Sequence, residues 1–232
     1  MKPKNWFESV NLAIEGILYA AKTQRHMRYH FWVAAAILIF SLFLSITKLE
    51  FLILAFAILF VLFAEMINTA IEATVDLLSP SYSKLAKIAK DTAAGAVLIA
   101  SIGAVVTGYL VLYPHLREPF TKGIEFAKNS PEHITFIALV IVIIAVIMSK
   151  AYSKKGRPLY GGMPSGHAAV AFAIWIAVTL ITRNALIAIL IFILAGIISH
   201  SRIALGAHTI FEVILGAVFG ALITVLLFQL FG

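Results

Sequence analysis

Two histidines, a carboxylate and a set of cations occupy three short polar clusters in the second half of this 232-residue chain. The first is Lys150, followed after six residues by Arg157-Pro158. The second is Pro164-Ser165-Gly166-His167. The third is Ser201-Arg202, then His208, then Glu212. These residue types suit displacement at phosphorus. Lys150, Arg157 and Arg202 would neutralise phosphate oxygens, and a guanidinium offers paired donors that match them. The Pro164–His167 run precedes an apolar stretch, and a helix start presents free N–H groups and a positive dipole end to an anion. Gly166 lets the backbone come close, and Ser165 adds a hydroxyl donor. His208 and Glu212 stand four residues apart, on one helix face. The carboxylate would hold one imidazole nitrogen and leave the other to attack phosphorus, while a second histidine protonates the leaving oxygen. His208 is thus the expected nucleophile, Glu212 its orienting partner and His167 the acid. Each histidine alone would read as an interfacial residue; the joint pattern carries the argument.

A second constellation lies in the first half. Glu65, Asn68, Glu72 and Asp76 follow one another at steps of three, four and four, a single stripe on a helix. Lys90-Asp91 opens a later apolar run. Ionisable groups at membrane depth are costly and are functional by default. Two readings stay open on the residues alone. The carboxylates hold Mg²⁺ and a nucleotide, or they form a polar seam between helices, paired to Lys90 and Arg25.

The elements that must position these groups are membrane helices. The chain is 62% hydrophobic and 12% charged, far from the roughly even split and ~25% charge of soluble domains. A span needs about 20 mostly apolar residues. Residues 3–28 read as an amphipathic interfacial helix, with Trp6, Phe7, Val10, Ile14, Ile17 and Leu18 on one side and Lys22, Arg25 and Arg28 near the headgroups. Spans are expected at about 30–47, 51–68 (running on as a helix to Leu78), 92–113, 133–149, 167–182, 185–200 and 209–231. Residues 114–132, punctuated by Pro114, Pro119 and Pro131, read as a linker, with a short surface helix over Phe120–Lys128. The fold class is therefore an all-α integral membrane protein of about seven spans plus a surface helix. Its expected division is 1–113, linker 114–132, and 133–232.

Thirteen of the eighteen Lys and Arg fall on one side of this arrangement. By the positive-inside rule that side is the cytoplasm, and both polar constellations lie on it. The expected location is a bacterial-type inner membrane. The net charge of +7 belongs to these topogenic loops; nothing supports nucleic acid as a partner. With no Cys, disulfides and thiolate metal sites are excluded. Met1–Trp6 lacks an apolar run before a small-residue cleavage site, so no signal peptide is expected.

The three C-terminal clusters resemble the three motifs of the type 2 phosphatidic acid phosphatase superfamily over roughly 133–231. The resemblance implies metal-independent hydrolysis through a phosphohistidine, with no cofactor. It also implies a lipid phosphate or pyrophosphate as substrate, best matched by undecaprenyl pyrophosphate. Glu212 stands where the family usually has Asp, and only four of its usual six spans are recognisable here.

The run Ala64-Glu65-Met66-Ile67-Asn68-Thr69-Ala70-Ile71-Glu72, with Asp76 and Ala89-Lys90-Asp91, resembles the small prokaryotic diacylglycerol kinase family over roughly 3–113. That resemblance implies a three-span homotrimer that uses Mg²⁺ and ATP to phosphorylate a lipid alcohol. Glu65 would be the general base, Glu72 a metal ligand, Lys90 and Asp91 nucleotide contacts, and Asn68 and Asp76 supporting groups. Gln24 stands where the family places a second metal-binding Glu. It keeps an oxygen and loses the charge, so Mg²⁺ affinity should fall. Three functional readings follow: a bifunctional enzyme feeding one lipid-phosphate pool, a phosphatase with a kinase-like scaffold, or a non-enzymatic lipid-binding or transport protein.

Overall fold

Across residues 6–117, 125, 129–152 and 163–231, which the computed structural model describes, no strand occurs and every regular element is a helix. In chain order these are α1 (Trp6–Thr23), α2 (Arg25–Ser41), α3 (Lys48–Leu78), α4 (Lys84–Leu112), a 3-10 turn (Tyr113–Arg117), α5 (Pro131–Tyr152), α6 (Gly166–Thr182), α7 (Ala185–Ala204) and α8 (Ile210–Phe231). The expected all-α membrane architecture is the observed one.

Local chemistry sets the helix starts. At α3 the Thr47 hydroxyl accepts from the Glu50 N–H at 3.3 Å, and the Glu50 carboxylate accepts from the Thr47 N–H at 2.7 Å. This capping box satisfies two donors that a helix start leaves orphaned. Ser83 caps α4 by accepting from the Ala86 N–H. Asn184 caps α7 by accepting from the N–H groups of Leu186 and Ile187 at 2.9 and 3.2 Å.

Among the described residues five helical stretches are long and apolar enough to cross a membrane: Lys48–Leu78, Lys84–Leu116, Pro131–Tyr152, Ala185–Ala204 and Ile210–Phe231. The 17-residue α6 is apolar but shorter. The count is thus five by length and composition, against seven expected. The helix over the first expected span, α2, ends at Ser41 after 17 residues. Its first two turns carry Arg25, His26, Arg28 and His30, which leaves too short an apolar run. By contrast α3 has 31 residues, about 46 Å at ~1.5 Å per residue. That exceeds a ~30 Å core by several turns and gives its polar stripe room outside hydrocarbon.

The described residues group into two packed units, Thr23–Gly123 and Met1–Lys22 with Ile124–Gly232. In the first, α2, α3 and α4 pack side by side. The segment expected to begin as a linker starts instead as the 3-10 turn, where His115 Nε2 meets Glu50 Oε1 at 3.1 Å. Most of the expected surface helix over 120–128 lies outside the described residues. In the second unit α6 is the hub, packed by α5, α7 and α8. There α8 approaches α6 through glycines: a Cβ on Gly216 would strike the Ser165 carbonyl, and one on Gly220 the Ala169 carbonyl. Small residues four apart let two membrane helices touch backbone to backbone. The sequence division placed α1 with the first half, whereas packing groups it with the C-terminal helices. There Ile14, Ile17 and Leu18 of α1 share a cavity with Ile143, Val146 and Ile147 of α5.

Candidate functional site

Three short segments build the C-terminal site. Ser165 caps α6 from an extended conformation. Its N–H donates to the Glu212 carbonyl at 3.0 Å, and its own carbonyl accepts from Ala169 at 3.0 Å. The cluster before α6 is thereby tied directly to the start of α8. The Ser165 hydroxyl is fully buried without a hydrogen-bond partner. Such a group is costly unless something occupies the space it faces; a ligand oxygen would satisfy it. Gly166 is hemmed in as well, since a Cβ there would sit 3.3 Å from Val146.

Between α7 and α8 the chain turns tightly. The Arg202 carbonyl accepts from both Ala207 and His208 N–H groups at 3.0 and 3.1 Å. Gly206 supplies the positive φ of 64° that the turn requires. This turn delivers His208, whose Nδ1 lies 3.0 Å from Glu212 Oε2. The same carboxylate accepts from the Thr209 N–H at 3.0 Å, while the Thr209 hydroxyl accepts from the Glu212 N–H at 3.3 Å. Thr209-x-x-Glu212 is therefore a capping box for α8. It was legible as a sequence pattern, and sequence reasoning missed it. It also gives a physical reason for Glu at this position: the third position of a capping box favours the longer side chain.

Glu212 can only accept when ionised, so His208 donates through Nδ1 and its Nε2 is the unprotonated nitrogen. Burial lowers the His208 pKa from the ordinary 6.5; the hydrogen bond to Glu212 opposes this, and the charges of Lys150 and Arg202 reinforce it. The imidazole is thus kept neutral, as a nucleophile must be. Lys150, Gly166, His167 and His208 share one cavity of about 490 Å³, whose other walls are apolar. The structure thus brings together the expected Lys150, Ser165, Gly166, His167, His208 and Glu212. Arg202 contributes its carbonyl to the turn and its charge to His208. Arg157 lies outside the described residues.

The stripe on α3 is organised differently. Glu65 is buried and meets His30 Nε2 of α2 at 3.2 Å. Glu72 accepts from the Asn68 amide on one oxygen and from the Gln24 amide on the other, both at 3.0 Å. The carboxylate of Asp76 pairs with Lys90 across α3 and α4. Asp91 pairs instead with Lys87 on the exposed surface of α4 at 2.9 Å. Arg25, the other partner expected for the seam, donates to Tyr29 and lies over its ring. Nothing in the sequence pattern marked His30 as the partner of Glu65.

Mg²⁺, which the kinase resemblance implies, needs convergent oxygen donors. Gln24 turns its NH₂ to Glu72, and both oxygens of Glu72 are already engaged by amides. Among the described residues no group of three His, Asp or Glu side chains converges on a metal position. The oxygens that could hold Mg²⁺ here are those of Glu72, which keep a lone pair each, and the buried Asn68 Oδ1, which has no hydrogen-bond partner; Gln24 presents its NH₂ rather than its oxygen.

Residues 11–112 match the prokaryotic diacylglycerol kinase family. Over 111 residues the chain is 37% identical to the undecaprenol kinase of Bacillus subtilis, which covers 48% of this chain and 90% of that protein. The chain belongs to the prokaryotic diacylglycerol kinase family. A diacylglycerol kinase of Synechocystis is 42% identical over 113 residues, covering 48% of this chain and 65% of that protein. The diacylglycerol kinase of Escherichia coli K12 is 35% identical over 77 residues, covering 33% of this chain and 63% of that protein. No solved structure matches this chain. The matched segment makes it a membrane protein of a prokaryotic lipid-kinase family, and Glu65, Asn68, Glu72, Asp76, Lys90 and Asp91 all lie inside that segment. The family match ends at residue 112, so the C-terminal clusters stand on their own geometry.

Proposed function

We propose that this kinase-family chain carries two opposed activities on lipid phosphates. The C-terminal unit removes a phosphate from a lipid phosphate or pyrophosphate. The N-terminal unit transfers the γ-phosphate of ATP to a lipid alcohol, undecaprenol or diacylglycerol. The observation that carries the first is the His208–Glu212 pair opening, with His167 and Lys150, into one apolar-walled cavity.

In that reaction the substrate phosphate lies at the start of α6, between the Ser165 hydroxyl, the Gly166 backbone and the cations Lys150 and Arg202. His208 Nε2 attacks phosphorus, and the bond to the leaving oxygen breaks as His167 supplies its proton. The imidazolium charge is spread onto Glu212 through Nδ1–H. Water then attacks the phosphohistidine, His167 takes a water proton, and phosphate leaves with His208 neutral again. The lipid-binding or transport alternative has no use for this pairing of nucleophile and orienting carboxylate.

For the kinase reaction, family membership is the support. Glu65 takes the proton of the lipid hydroxyl as its oxygen attacks the γ-phosphorus and ADP departs. Lys90 and Asp91 contact the nucleotide, and a homotrimer is the assembly implied by the family resemblance. A second reading has its own observation: the Gln24 amide on Glu72 favours a kinase-like unit that serves only as scaffold. Transfer of labelled γ-phosphate from Mg·ATP to undecaprenol and to diacylglycerol, in His208→Ala protein, separates the two. Transfer that disappears on adding Glu65→Ala supports the kinase. No transfer to either lipid, in protein that folds, leaves the scaffold. Both sites are proposed to face the cytoplasm; labelling of an engineered Cys at position 161 in intact cells by a membrane-impermeant thiol reagent would overturn this for the C-terminal site.

A further inference from the structure

A general base that takes a proton must give it up before the next turnover. The Glu65 side chain is only 4% exposed, so water has little direct access to it. Among the described residues its carboxylate has one polar partner, His30 Nε2 of α2, at 3.2 Å. The Thr69 hydroxyl, one turn further along α3, donates to the Glu65 backbone carbonyl and not to the carboxylate.

The surroundings of the pair differ on its two sides. On one side lies a cavity of about 410 Å³ between α2, α3 and α4. Val33 and Ala34 line it one turn past His30, and Val61 and Leu62 line it one turn before Glu65, so the pair closes one end. His30 is the one ionisable side chain on its wall, and Ser101 of α4 adds only a neutral hydroxyl. A proton on Glu65 has no acceptor in that direction. On the other side His30 is 26% exposed, and Arg25, His26 and Arg28 precede it on the polar first turns of α2. An imidazole can accept a proton on one nitrogen and release one from the other. His30 therefore joins a buried carboxylate to the polar end of its helix.

We infer that His30 acts through Glu65, carrying to water the proton that Glu65 takes from the lipid hydroxyl. This rests on the kinase reading above. The lipid O–H proton passes to Glu65 as the oxygen bonds to the γ-phosphorus and the bond to ADP breaks. After the products leave, His30 Nε2 takes that proton and the ring loses one from Nδ1 to water. Exchange of the ring protons with water restores the accepting tautomer, and Glu65 is again ionised.

The test uses full-length His208→Ala protein in nanodiscs as the parent, with Mg·ATP and undecaprenol. His30→Gln keeps an N–H donor for Glu65 and cannot carry a proton. It is expected to lower kcat roughly 10²-fold, within the range for proton transfer by a positioned side chain, with kcat/KM for undecaprenol changed less than about twofold. The relay follows phosphoryl transfer, so slowing it lowers kcat and KM together. In His30→Ala, added imidazoles of similar size should restore kcat, and the more basic rings should restore it further. A His30→Gln enzyme with the parent's kcat, in which transfer still needs Glu65, overturns the relay and leaves the kinase standing. Equal losses in kcat and kcat/KM, with no rescue by imidazoles, show that His30 only holds Glu65 in place and also overturn the relay. A parent that transfers no phosphate, or that transfers it as well after Glu65→Ala, overturns the kinase reading and the relay together.

Discussion

Glu212 faces His208 across 3.0 Å in the C-terminal unit, and Glu65 faces His30 across 3.2 Å in the N-terminal one. The first pair lies four residues apart on the turn into one helix. The second spans two helices, thirty-five positions apart in the chain. Around His208 the neighbours are cations, an unsatisfied hydroxyl and an apolar cavity, so the site has capacity left for an anion. Around Glu72 each carboxylate oxygen accepts one neutral amide and keeps a lone pair, and the buried Asn68 Oδ1 beside it has no hydrogen-bond partner. The same residue types make an anion site in one place and a hydrogen-bonded seam in the other. What separates them is the charge of the neighbours: cations act on His208, whereas neutral amides donate to Glu72.

The strongest way to break this comparison is to remove the proposed nucleophile. His208→Ala should lower phosphate release on the order of 10⁴-fold or more, with γ-phosphate transfer unchanged, measured on the same preparation. Next in size, Glu65→Ala should lower γ-phosphate transfer roughly 10²–10⁴-fold, the range for a general base, while phosphate release stays at the wild-type level. If instead Glu65→Ala leaves transfer intact, the pair with His30 is a structural seam and the comparison loses one arm. Gln24→Glu sharpens the contrast. Replacing the amide on Glu72 by a carboxylate should lower the Mg²⁺ concentration for half-maximal transfer about tenfold or more, read from a Mg²⁺ titration in the His208→Ala background. An unchanged titration would mean that the amide does not control metal access.

The smallest effect is in the pH profile. His208 must be neutral to attack, and its folded pKa lies below 6.5. Phosphate release should therefore hold as pH falls through 6.5 and decline only at lower pH, through protonation of the nucleophile. Glu212 raises the His208 pKa, so Glu212→Gln should move the acid limb of kcat/KM lower still while reducing its plateau. A limb that moves upward would mean that Glu212 is not the partner controlling this histidine.

Much of both sites is written in local spacing. The step of four between His208 and Glu212, the stripe from Glu65 to Asp76, and the Pro164–His167 run ahead of an apolar helix all follow from helical periodicity. That depends only on residues within a turn or two of one another. The length of the apolar runs likewise specifies membrane helices, because a bilayer leaves the backbone few alternatives. Even the Thr209–Glu212 capping box is local, and it explains the Glu at that position.

Tertiary structure alone decided which helices meet. Gln24 reaches Glu72 and His30 reaches Glu65 across gaps that no periodicity spans. Those contacts turn a row of carboxylates into a seam. The Gly216 and Gly220 contacts with α6 set the distance at which His208 stands from the start of that helix, although glycines four apart are common in any apolar helix. The place of α1 is the clearest case. Its amphipathic pattern requires a partner for one face, and the pattern is equally satisfied by headgroups or by protein. Only packing, which buried Leu18, Ala20 and Ala21 and set Ile14 and Ile17 against the cavity of His208, selected between them.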